Sequence, residues 1–69
     1  MTSEIKTYIV RTHADKEFDG YYNHANVMDT KYENENILVL EVEVPEWYAS
    51  AYERELDRDS AVISYREAA

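Results

Sequence analysis

Apolar and polar positions alternate most clearly over residues 37–44. Leu38, Leu40, Val42 and Val44 fall on one face of an extended chain, and Ile37, Val39, Glu41 and Glu43 on the other. One fully apolar face opposite a half-apolar one predicts a central strand. Residues 4–11, with Ile5, Tyr8, Ile9 and Val10, are rich in β-branched and aromatic side chains and predict a first strand buried to some extent on both faces. Residues 27–32 alternate again, with Met28, Thr30 and Tyr32 against Val27, Asp29 and Lys31. The turn cluster at 33–36 then predicts a hairpin into the central strand, with asparagine tolerating left-handed geometry. Residues 61–65 predict a short last strand.

Two segments carry a helical period instead. Pro45 is suited to open a helix over residues 47–56, where Tyr48, Ala49, Tyr52 and Leu56 form a core-facing stripe flanked by Trp47 and Ala51. Phe18, Tyr21 and Tyr22, spaced i, i+3 and i+4, predict a first helix over residues 16–24, capped by Thr12 or Asp15. Gly20 inside it and the run from Asn23 to Asn26 at its end oppose it. The resulting order, β-α-β-β-α-β, predicts an α+β fold of ferredoxin-like type, a four-stranded antiparallel sheet with two helices on one face. Without the first helix this reading reduces to three strands and one helix.

At 69 residues the chain accommodates one small domain, residues 1–69, and it has no cysteine to staple it. Its core is therefore expected to be helix on sheet, or to be completed by a partner. The apolar run at 37–40 is far short of a membrane span and the first four residues lack a basic leader, which predicts a cytoplasmic protein.

The net charge of −8 is unevenly placed: residues 1–32 carry −1 and residues 33–69 carry −7. Such a charge repels nucleic acid and anionic membrane, so no direct contact with either is expected. It attracts basic surfaces, including grooves that hold nucleic acid in other proteins.

The segments Lys6-Thr7-Tyr8-Ile9-Val10, Val44-Pro45-Glu46 and Leu56-Asp57-Arg58-Asp59-Ser60-Ala61-Val62 give the chain a further character. Together with the element order, they resemble the propeptides and free inhibitors of the subtilisin family. The resemblance implies a ferredoxin-like domain whose tail enters a serine protease cleft like a product, with Glu67 capping an enzyme helix and Ala69 as the product-like terminus. The chain departs from that pattern in its tail, because only four residues follow Tyr65.

Chemistry-bearing residues are sparse. His13 and His24 are eleven residues apart without cysteine or a helical partner, no serine stands in a nucleophile context, and Gly20 is the only glycine. No metal, cofactor or catalytic group is expected, and the chain reads as non-enzymatic. Glu41 and Glu43, about 7 Å apart on one strand face, suit a carboxylate pair or a hard cation, or simply a solvated surface.

The second helix carries a stronger signal. Glu46, Glu53 and Asp57 fall within about 40° of one another, with axial steps of about 10.5 and 6 Å that approach phosphate spacings. Glu53 and Asp57 are like charges at i, i+4, which costs helix stability and requires an explanation. Seven tyrosines and one tryptophan exceed what so small a core hides, so some of Tyr21, Tyr22, Trp47 and Tyr65 should be exposed.

These features predict a small acidic inhibitor of virus type that mimics nucleic acid and blocks a basic surface of a partner protein. Glu41, Glu43, Glu46, Glu53, Glu55 and Asp57 stand for phosphates, and Trp47 and Tyr21 are apolar anchors. A subtilisin-type inhibitor is the alternative, and a homodimer paired through exposed strand edges is the third reading.

Overall fold

A computed structural model describes residues 4–18 and 22–68. Strand β1 (Ile5–His13), β2 (Asn26–Asn34) and β3 (Ile37–Pro45) are followed by a 3₁₀ turn (Glu46–Tyr48), helix α1 (Ala49–Arg58) and β4 (Val62–Glu67). The sheet order is β2-β3-β1-β4, and every neighbouring pair is antiparallel. The fold is thus α+β, a four-stranded antiparallel sheet with one α-helix among the described residues.

Register decides which half of each strand is buried. Tyr8 pairs with Val42 and Val10 with Leu40, so the even positions of β1 and β3 share one face of the sheet. On that face Tyr8, Val10, Thr12, Leu40, Val42 and Val44 are buried, and Ala49, Tyr52 and Leu56 of α1 close over them. Thr12 is therefore a core residue and not a helix cap. Its hydroxyl donates to the Leu38 carbonyl at 3.3 Å, which satisfies a polar group inside an apolar layer.

The hairpin from β2 to β3 forms as expected but by a different device. No non-glycine residue has positive φ among the described residues. The Asn34 side chain instead accepts the Asn36 backbone N–H at 2.8 Å, and the register shifts between Tyr32 and Asn34.

Pro45 does not open the helix. With φ −61° and ψ 143° it ends β3 in extended geometry, and the chain makes the 3₁₀ turn before α1 begins at Ala49. The helix consequently starts two residues later than the sequence pattern predicts, and it also ends two residues later, at Arg58.

The expected first helix is absent from the described residues between β1 and β2. Residues 14–18 and 22–25 form turns and irregular chain, and Asp19, Gly20 and Tyr21 lie outside the described residues. Phe18 and Tyr22 meet edge to face at 6.3 Å and pack against the core from this connection. This i, i+4 aromatic pair thus covers apolar surface from described residues that are themselves not helical. The four strands remain, including the short β4, so the reduction to three strands does not occur. No helix among the described residues is long and apolar enough to cross a membrane.

Candidate functional site

The aromatic side chains form a continuous path beneath and beside α1. Trp47 contacts His24 (4.6 Å between ring centroids) and Tyr48 (6.0 Å); Tyr48 leads to Tyr52, Tyr52 to Tyr8, and Tyr8 to Tyr65 at 6.2 Å. Tyr22 joins from the loop at 5.6 Å from Tyr52. Burying tyrosines on this scale requires partners for their hydroxyls, and the acidic residues supply them.

Tyr8 Oη donates to the Glu53 carboxylate, Tyr22 Oη to Asp59 and Tyr65 Oη to Asp57, the last at 3.0 Å. Asp59 also accepts the Ala61 backbone N–H at 2.9 Å, fixing the chain as it leaves the helix. Burial, followed by the hydrogen bond to a carboxylate, holds the Tyr8 and Tyr22 hydroxyls well above the ordinary tyrosine pKa. Burial and Asp57 also push Tyr65 upward.

These bonds engage two residues of the anionic stripe predicted for the helix. Glu53 and Asp57 are tied to tyrosines of β1 and β4, and do not form a free row with Glu46. Their like-charge i, i+4 spacing has a structural cause: two hydroxyl donors on adjacent strands need two acceptors one helical turn apart.

The remaining predicted residues are distributed over the surface. Glu41 is exposed and Glu43 half-buried on the face of the sheet opposite α1, whereas Glu55 is half-buried on the helix and adds to the upward shift of Tyr22. Tyr21 lies outside the described residues, as does Ala69. Glu67 pairs with Lys6 at 3.5 Å and the Ala68 N–H bonds the Thr7 carbonyl, so this segment continues the sheet edge.

Glu46 and Trp47 stand together at the end of the sheet where β1 begins and β3 stops. The Glu46 N–H bonds the Glu4 carbonyl at 2.9 Å, and Ile5 pairs with Pro45. A hydrogen bond with the Glu4 side chain, then its charge, raises the pKa of Glu46, with Lys6 opposing weakly. Trp47 is 65% exposed beside this pair and Ile5 is 55% exposed. Glu43, in register with Thr7 two residues before Pro45, carries a further carboxylate on the open face of the sheet. Lys6, the cation near this end, is paired to Glu67.

The open face of the sheet was not legible as a unit in the sequence. Its groove, about 540 Å³, is lined by Ile9 and Val39, by the cations Arg11, Lys31 and Arg66, and by the anions Asp29, Glu33 and Glu41. Its charges cancel in a chain of net charge −8. Arg11 holds Glu33 with two hydrogen bonds of 3.2 and 2.8 Å. Tyr32, 68% exposed at its margin, is a more open tyrosine than Tyr22 or Tyr65. Among the described residues no three of His, Cys, Asp and Glu converge as metal ligands.

Comparison with protein-family models, with curated proteins and with solved structures found no match to this chain.

Proposed function

We propose that the chain is a non-enzymatic binding domain that occupies a basic surface of a partner protein, such as one that holds nucleic acid, and that its contact centre is the sheet end formed by Glu4, Glu46 and Trp47. The observation that carries this reading is an exposed indole next to Glu46, whose carboxyl stands against that of Glu4 with Lys6 offsetting the pair only in part. A guanidinium or ammonium group placed there relieves that repulsion and gains the face of the ring, so the site selects a cation beside an apolar contact. Glu53 and Asp57, engaged by tyrosines, contribute only long-range field. A compartment facing the cytoplasm and a role as a nucleic-acid mimic of virus type belong to this same reading.

The fold is read as a ferredoxin-like sheet whose first crossover is a loop. Its support is that β1 and β2 both run antiparallel to β3, which lies between them, as in a split β-α-β unit.

The test is the binding of a labelled arginine-rich peptide followed by fluorescence anisotropy. Trp47→Ala and the double variant Glu4→Gln/Glu46→Gln are each expected to weaken binding about tenfold, with Glu53→Gln unchanged. Parent-like affinity in both of the first two variants removes the sheet end as the site. Capture of a nucleic-acid-binding protein that competing DNA releases identifies the natural target.

A further inference from the structure

The open face of the sheet has a charge order that complements itself. Across the paired strands, one row of side chains on this face runs Arg66, Ile9, Glu41 and Asp29, and the next runs Ser64, Arg11, Val39 and Lys31. Over β3 and β2 the carboxylates Glu41 and Asp29 of one row therefore lie beside the row of Arg11 and Lys31, about 7 Å further along the strands, with Arg66 at the β4 end of the carboxylate row. Ile9 and Val39 are diagonal neighbours at the centre, both half-buried without a covering layer. Among the described residues neither Asp29 nor Lys31 has an ion-pair partner, while Arg11 is held by Glu33.

We propose that this face pairs with the same face of a second copy of the chain, about a two-fold axis that crosses the strands along the line from Thr30 through Leu40 to Val10. Those three residues are in register, so the axis passes midway between the two rows on β2, β3 and β1 together. Asp29 then lies opposite the partner's Lys31, and Lys31 opposite the partner's Asp29. Glu41 sits opposite the partner's Val39, between the partner's Arg11 and the partner's Lys31. The stems of Arg11 and Lys31 cover the aliphatic centre, as face-to-face sheets about 10 Å apart require.

Net charge selects this occupant. Two copies at −8 repel each other over most of their surfaces, and the groove, with three cations and three anions, is where they approach without that penalty. A polyanion or a polycation meets equal numbers of like and opposite charges there and gains nothing. Glu46 and Trp47, beyond the end of β3, stay outside the rows that pair, so this proposal stands or falls separately from the proposed function.

The experiment is sedimentation equilibrium of the full chain from micromolar to millimolar concentration. The expected result is a mass rising from 8.2 kDa toward twice that value. Asp29→Lys changes the net charge from −8 to −6 and so reduces general repulsion, yet it sets like charges against each other across the axis and is expected to weaken association about tenfold. The swap Asp29→Lys/Lys31→Asp returns the net charge to −8 and restores the pairing, with association close to that of the parent. A mass that stays at 8.2 kDa throughout overturns the proposal. So does association of Asp29→Lys as tight as the parent's, or failure of the swap to recover it while its circular dichroism remains native.

Discussion

Tyr8, Tyr22 and Tyr65 donate to carboxylates, whereas the fully buried Tyr52 does not. The Tyr52 side chain is fully buried at the centre of the aromatic path, and its hydroxyl finds no hydrogen-bond partner among the described residues. Leaving such a hydroxyl unpaired costs about 1–3 kcal/mol, while a hydrogen bond to a charged acceptor contributes about 1.5–3 kcal/mol. The two tyrosines should thus respond oppositely to loss of their oxygens. Tyr8→Phe strands the Glu53 carboxylate and is expected to lower the free energy of unfolding by about 2 kcal/mol. Tyr52→Phe is expected to be neutral or stabilising by up to about 1 kcal/mol. Urea unfolding of the two variants beside the parent checks both, and equal destabilisation contradicts the assignment.

At the scale of elements, these bonds fasten the helix to the sheet. Glu53 and Asp57 project from α1 to Tyr8 of β1 and Tyr65 of β4, and Asp59 ties the end of α1 to Tyr22 in the loop. Each raised tyrosine pKa couples this fastening to pH. The folded state retains the phenolic proton to higher pH than the unfolded chain, whose tyrosines ionise near 10. Stability from these groups is therefore complete below about pH 10 and declines as pH rises from there toward the shifted values. The expected observation is a urea midpoint that falls steeply above about pH 10, together with a step of tyrosinate absorbance that accompanies the loss of helical circular dichroism. A midpoint constant through that range refutes the coupling.

Over the whole molecule, the acidic excess lies outside the groove of the open sheet face. The groove is electrically balanced, whereas Glu43 beside it, the helix, the sheet end and the loops carry the remaining −8. Self-repulsion of this kind opposes the compact state and is screened by salt. The thermal midpoint is therefore expected to rise between about 0.01 M and 1 M sodium chloride, as the Debye length falls from about 30 to 3 Å. A midpoint that falls with salt means that local ion pairs outweigh the net charge. The same distribution separates two surfaces, an anionic end that suits a basic partner and a neutral face that suits a second copy.

The strands and the helix were written into the chain itself, because their signals are local. The alternation from Ile37 to Val44 and the apolar stripe at Ala49, Tyr52 and Leu56 require no knowledge of what lies opposite. The packing of the described residues between β1 and β2 was not local: Phe18 and Tyr22 have helical spacing, but the core they cover is built from β1, β3 and α1, and it accepts them from positions that are not helical. The acidic residues divided in the same way. Their number and their concentration after Tyr32 follow from sequence, and so does the exposure expected of Trp47. That Glu53 and Asp57 serve tyrosines 45 and 8 residues away, while Glu46 stands beside Glu4, depends on strand register and on the position of α1 over β1 and β4. Hydrogen-bond partners of charged side chains are chosen by proximity in space, which the order of residues in one dimension does not contain.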